Sequence, residues 1–549
     1  MRKDFRSVIM KKRFSIPLVI LVFVIAFVGG TQVNHLISGD NIYEQLSKFK
    51  DVLSLTEKYY VEDVDMQKLT EQAINGLLNE LDPHSVYIKP SQMQRVTEDF
   101  QGKFEGIGVE FSIVNDTITV VQPIGGGPSA SLGIMSNDKI VKIDGKSSIG
   151  FNNEQVMKGL KGPKGTKVSV TIFRPGVKEL LEFEIVRDVI PLYSVDVSTM
   201  LNDRIGYINV TRFAETTNKE MVAALQKLKG LGMKQLILDL RFNPGGYLDQ
   251  AVKMADLFLD AAPDGTPRKV VYTKGRKVEF NEEYFAYKNS EFEKIPLIIM
   301  LSNGSASASE IVSGAVQDWD RGLIVGETSF GKGLVQRQFP LSDGSALRLT
   351  IARYYTPSGR LIQRSYQNGK DKYQVEAFTR EEEEGENIEH KESVADTARP
   401  KFKTFKGRLI LGGGGVTPDF IVKPGNLTKY SIALSRRNMF YEYTAQYITV
   451  NGEAIKNTYK GNVHEFDKKF IIDDAFLDGF IAFTNEKKIE FVKEDFDKDK
   501  EFIQARLKAY IARNFWGYDG MLLANLPIDT QLKKAMLLFP EAEKIARLN

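Results

Sequence analysis

Two apolar runs, each ending in a loop of small residues, constrain this chain most. Residues 234–240 (KQLILDL) lead into RFNPGG, and residues 295–301 (IPLIIML) lead into SNGSASASEIV. Short runs without polar alternation belong to strands buried on both faces, which happens when helices cover a parallel sheet. After the first loop, Leu248, Val252, Ala255 and Leu259 recur at helical spacing. GLIVGETSFGKGLVQ and SALRLTIARYYTP extend the alternation, so residues 189–425 are expected to form an α/β core. At 549 residues the chain exceeds one core, and several domains are expected.

The remaining segments differ in pattern. In residues 1–40 a basic flank, Arg2 to Arg13, precedes the apolar run Phe14–Val28, with no charged residue until Asp40. This predicts an export signal. Without a convincing A-x-A cleavage site it is expected to stay as a membrane anchor, basic end cytoplasmic and the rest exported. Residues 41–101 carry Ile42, Leu46, Phe49 and Leu53, then Leu69, Ala73, Leu77 and Leu81, and predict a helical lead-in. Residues 102–188 predict short strands around one helix near Val156. Within the core, 366–405 is polar (EEEEGENIEHKES) and is expected to be a solvated insertion. Residues 426–549 are expected to be mostly helical, with Ile503, Leu507, Tyr510 and Ile511 on one face.

Composition removes several chemistries. Lys and Arg number 74 against 71 Asp and Glu, and the basic excess sits in the first thirteen residues, so the body has no footprint for nucleic acid. There is no cysteine, hence no disulfide, thiolate nucleophile, cysteine-type zinc site or lipoprotein anchor. Of four histidines, His35 adjoins the apolar segment, His390 lies in the acidic insertion and His464 in a polar stretch. His84, in LDPHS, is expected to cap a turn or pack, so a Ser-His-Asp triad is disfavoured. No H-E-x-x-H or comparable ligand spacing is present.

The remaining candidate nucleophile is Ser307, on a strand-to-helix turn flanked by alanines; capping and close packing are the alternative roles. Lys332, between two glycines, is a candidate general base if burial lowers its pKa, and Gln336 falls on the same face of an extended segment. The loop Asn243-Pro244-Gly245-Gly246 opens a helix and, with the N–H of Ala308, is a candidate oxyanion site. Asp239 and Arg241 are expected to pair structurally.

LDPHS, Gly106-Ile107-Gly108-Val109, DLRFNPGG, SNGSASASEI, VGETSFGKGLVQ, YYTPSGR and GVTPD together resemble the carboxyl-terminal processing peptidases, the tail-specific serine proteases, across roughly 45–425. The resemblance implies a crotonase-like or ClpP-like α/β core with an inserted PDZ domain at 102–188. It implies Ser307 as nucleophile, Lys332 as general base and Gln336 as the orienting third member. The oxyanion donors would be Ala308 and either Gly245 or Gly246. The PDZ loop Ile107, Gly108 and Val109 would take a substrate's C-terminal carboxylate, and Val156, Met157 and Leu160 would line a pocket for its last side chain. Arg174 is a candidate link between PDZ domain and core. The expected partners are proteins with apolar C-terminal tails and, through the N-terminus, the inner membrane. No metal or cofactor is expected, and a homodimer or an adaptor stays open. The competing expectations are a PDZ scaffold on a decayed protease core and another α/β enzyme with similar oxyanion loops.

Overall fold

The computed structural model describes residues 41–261, 265–287, 289–390 and 399–547. The expected signal and anchor, with His35, lie outside the described residues. Residues 41–80 form one unit and 81–547 the other.

The first unit holds two helices. Ile42–Tyr59 is capped by Asn41, whose Oδ1 accepts the Tyr43 N–H at 3.1 Å, and Met66–Asn79 by Asp65, which accepts the Lys68 N–H at 2.9 Å. The apolar spacing gave these helices, yet Ile42, Leu46 and Phe49 are all exposed.

The second unit is built on a seven-stranded sheet. Its strands run Val195–Met200, Ile205–Val210, Gln235–Asp239, Leu297–Leu301, Leu323–Gly326, Phe420–Ile421 and Gly385–Glu386 in spatial order. The inner pairs are parallel and the two outermost antiparallel. Alternation along Leu297–Leu301 explains its apolar run. Leu297, Ile299 and Leu301 join the core containing the helix Ala308–Asp318, whereas Ile298 and Met300 pack with Leu532 and Phe539 of two C-terminal helices. A second, five-stranded sheet contains the long strand Ala346–Tyr355, which pairs with Val86–Ile88, Arg268–Gly275 and Leu334–Pro340.

The β-rich stretch folds as expected. Its sheet runs Val109–Val114, Thr117–Pro123, Lys139–Ile143, Lys167–Phe173 and Leu181–Val186, beside the helix Asn153–Leu160. Lys103–Gly106 pairs antiparallel with Asp188–Pro191, so the chain enters and leaves this domain side by side, the geometry of an insertion. Arg174 is corrected by the structure. It pairs with Asp138 at 2.7 Å and reaches the Gly133 carbonyl, all within the domain, so it makes no link to the core. Contacts out of the domain come from other residues: Arg513 of the helical C-terminus pairs with Glu110 at 2.6 Å, Lys487 reaches Asn115 at 3.1 Å, and Lys161 pairs with Glu98.

Two other expectations change. The polar insertion is not simply solvated, because the helix Lys370–Glu376 buries Tyr373 and the segment beyond it buries His390. Single inward anchors inside a charge run leave composition almost unchanged, which is why the sequence concealed them. Val86–Ile88 is a strand within the expected helical lead-in; three residues carry no periodicity, and pairing with Ala346–Arg348 creates the strand. Asp239 and Arg241 do pair, at 2.7 Å, and Arg241 also holds Asp529 of the C-terminal segment at 2.8 Å.

Phe539 is fully buried against the main sheet. Phe539→Ala is expected to lower stability by about 3–5 kcal/mol in urea unfolding; an unchanged midpoint would contradict the packing of that helix.

Candidate active site

The strand Leu297–Leu301 ends in a tight turn that places Ser307 immediately before the helix Ala308–Asp318. Ser307 has φ 55° and ψ −111°, a region that a residue with a Cβ enters at a cost of roughly 1–3 kcal/mol. Surrounding bonds hold it there. Ser305 Oγ donates to the Leu240 carbonyl at 2.8 Å, Ser309 Oγ to the Asn243 carbonyl at 3.0 Å, and the Ala306 N–H to that same carbonyl at 3.0 Å. The neighbouring serines thus tie the turn to the Asn243–Gly246 loop. Gly245, at φ 96°, makes this approach possible: a Cβ there would stand 2.7 Å from the Ser307 Cβ.

Lys332 lies on a loop that leads into Leu334–Pro340. A Cβ at Gly333 would stand 2.8 Å from the Gln363 amide nitrogen, so only glycine lets the loop lie against its neighbour. Glu310 joins this loop to the serine turn. Its Oε2 accepts the N–H groups of Ser307 at 2.7 Å and Lys332 at 2.9 Å. Its Oε1 accepts the Gly331 N–H at 2.7 Å and the Ser329 hydroxyl at 2.5 Å. Burial outweighs the pull of the four donors and leaves this carboxyl's pKa raised. Three of those donors are amides that can only donate, so the ionised carboxylate satisfies the whole set. The buried Tyr354 hydroxyl also contacts the Ser307 and Lys332 carbonyls.

Lys332 is partly buried at the edge of the cleft. Burial, helped by the Arg348 guanidinium, draws its pKa down to about 8, against the opposing pull of Glu310 and Asp82. His84 donates to or accepts from Tyr373 OH at 2.9 Å, and burial with the nearby lysine brings it down to about 4, so it is neutral near pH 7. It packs, as expected.

Ser307, Lys332, Gln336, Gly245 and Gly246 line one cleft of about 730 Å³, together with Arg348. No hydrogen bond joins the Ser307 and Lys332 side chains in this conformation. Among the described residues, the Gly245 N–H is engaged by Asn243 Oδ1 at 2.9 Å, whereas Gly246 and Ala308 have no acceptor for theirs. Ile107, Gly108 and Val109 sit in the PDZ domain and do not line the cleft. Val156 and Leu160 are buried in the core of that domain, with Met157 exposed. Sequence reasoning missed Glu310, Tyr354 and Arg348. Glu310 did leave a signal: serine followed three residues later by glutamate is a capping-box spacing.

Comparison with known proteins identifies the domains. Residues 204–369 match the model of peptidase family S41, 106–185 a PDZ domain, 30–91 the N-terminal domain of the activating protease CtpB, and 430–517 a family of unknown function. The carboxy-terminal-processing protease of Bartonella bacilliformis is 41% identical over 327 residues, covering 59% of this chain and 74% of that one. The chain belongs to the carboxy-terminal-processing proteases. CtpA of Bacillus subtilis is 36% identical over 326 residues, 59% of this chain and 67% of its own. Among solved structures, a photosystem II D1 C-terminal processing protease aligns over 57% of this chain and 89% of its own, at 27% identity and a TM-score of 0.32. The PDZ domain of a Vibrio cholerae carboxy-terminal protease, solved with a peptide, aligns over 16% of this chain and 99% of its own, at 30% identity and a TM-score of 0.16. The protease is a serine-type peptidase with an α/β core and a PDZ domain.

A lysine whose folded pKa lies below its unfolded value costs stability while both states are protonated. That cost disappears as pH rises from about 8 towards 10.5. Lys332→Met is therefore expected to raise the unfolding temperature at pH 7, by the equivalent of about 1–3 kcal/mol, and to raise it less at pH 10. A gain that is the same at both pH values would contradict the buried-cation account.

Proposed function

We propose that this protease cuts proteins near their C-termini by Ser307–Lys332 catalysis. The observation that carries the reading is that one buried carboxylate, Glu310, holds the backbone of both residues at a single cleft where the lysine's pKa is drawn down to about 8. Neutral Lys332 takes the Ser307 hydroxyl proton as the oxygen attacks the peptide carbonyl. The N–H groups of Ala308 and Gly246 receive the developing oxyanion, and Gly245 serves by having no side chain in the way. The protonated lysine then gives its proton to the departing amine, leaving the acyl group on Ser307. Water, deprotonated by the same amine, releases the acid and restores the serine. Gln336 orients the amine.

The tail is held by the PDZ domain, taken as 102–188. Val109–Val114 is an edge strand of its sheet and can accept an added peptide strand. The backbone of Ile107, Gly108 and Val109 receives the terminal carboxylate, over an apolar floor of Val156 and Leu160 with Met157 at the rim. The match of residues 106–185 to a PDZ domain supports this assignment. The basic flank and apolar run at the N-terminus support export and an anchor in the cytoplasmic membrane. Among the described residues, no helix is long and apolar enough to cross a membrane.

Incubated with an unfolded protein bearing an apolar C-terminus, the wild type is expected to cleave and Ser307→Ala and Lys332→Ala to be inactive, as read by mass spectrometry. The wild-type kcat/KM is expected to rise with pH through a single ionisation near 8, because the deprotonated amine is the active form. Tail binding without cleavage by the wild type would instead establish a scaffold.

A further inference from the structure

The LDPHS segment has no part in the chemistry above, yet two hydrogen bonds through Thr350 join it to Gln336, a residue that does. Pro83 favours an extended Asp82, and the Asp82 carboxylate closes the turn that follows. Its Oδ1 accepts the N–H groups of His84 at 2.8 Å and Ser85 at 2.9 Å, and its Oδ2 accepts the Ser85 hydroxyl at 2.6 Å. Ser85 Oγ in turn accepts the Thr350 N–H at 3.1 Å, fixing the turn to the long strand. From that strand Thr350 Oγ1 lies 3.1 Å from Asp82 Oδ1 and 3.4 Å from Gln336 Nε2.

The register makes this meeting possible. Val335 pairs with Ala352 but Gln336 pairs with Thr350, so a bulge at Ile351 brings the threonine opposite the glutamine. Hydrogen-bond polarity then sets the amide. Asp82 Oδ1 already accepts two backbone N–H groups, so the Thr350 hydroxyl donates to it as well and offers Gln336 a lone pair. The group that meets that lone pair is the amide NH2. Gln336 Oε1 is left as the acceptor, and among the described residues it has no other partner.

We propose that Asp82 and Thr350 form a polarity relay that fixes the Gln336 side-chain amide with its carbonyl available to the Lys332 amine. The relay rests on the Ser307–Lys332 reading and deepens it. Both are positioning residues, since neither touches the reacting atoms. Without the relay the amide can flip, and an NH2 donated to the neutral amine would occupy the lone pair that must accept the serine proton. The charged and titratable groups around the amine come from every neighbouring element: Arg348 and Tyr354 on the long strand, Glu310 on the helix Ala308–Asp318, and Asp82 with His84 in the turn.

The test uses the full chain and a soluble peptide with an apolar C-terminus, comparing Thr350→Val, Thr350→Ser, Gln336→Ala and the Val/Ala double variant. Thr350→Val is expected to lower kcat roughly tenfold with little change in KM, and Thr350→Ser to restore it. A carbonyl accepting from the ammonium favours the protonated lysine, so its loss is expected to move the acid limb of the pH profile to lower pH. In the Gln336→Ala background Thr350→Val is expected to have no further effect on kcat. Wild-type kcat and pH profile in Thr350→Val, beside an inactive Lys332→Ala, would overturn the relay alone. So would a full additional loss in the Gln336→Ala background, or a change confined to unfolding temperature. A Lys332→Ala variant that cleaves at the wild-type rate would overturn the Ser–Lys reading, and the relay with it.

Discussion

The Glu310 carboxylate is the contact on which the rest of the site depends. It gathers the amides of Ser307, Gly331 and Lys332 and the hydroxyl of Ser329 around two oxygens. Buried amides without acceptors would be costly, and so would a buried carboxylate without donors, so each group solves the other's problem. Two loops from different parts of the sheet are thereby held at one place. The serine keeps a strained backbone because its neighbours are committed elsewhere, and the lysine is kept in a site that disfavours its charge.

The same loops show how backbone and side chain divide the work. Backbone position is set by Glu310, by the serine hydroxyls at 305 and 309, and by glycines that permit close approach. Side-chain chemistry is set by burial and by charges around the cleft, chiefly Arg348 opposing the ammonium of Lys332. The PDZ domain enters and leaves through one paired ribbon, and Arg513 meets it from the helical C-terminus, so three regions of the chain converge on its placement.

Much of this was legible in the sequence, for physical reasons that can be named. The doubly buried strands announced themselves because both their faces are apolar, and the PDZ strands because theirs alternate. Ser307 and Lys332 stood out through their small neighbours and through the shortage of competing histidines. What stayed hidden depends on long-range placement. His390 and Tyr373 are isolated inward anchors in a charged segment, Val86–Ile88 becomes a strand only through its partner, and a bulge at Ile351 changes which residue faces Gln336. Arg174 misled because its position near a strand end says nothing about the partner it meets, Asp138.

The most direct measurement is a carbon-13 NMR titration of the Lys332 side chain, assigned by its loss in Lys332→Met. A midpoint near 8, where the neutral amine is accessible under physiological conditions, is expected. A midpoint near 10.5, the value of an ordinary solvated lysine, would mean that the ammonium is not disfavoured at the cleft and that Lys332 is not poised to accept the serine's proton.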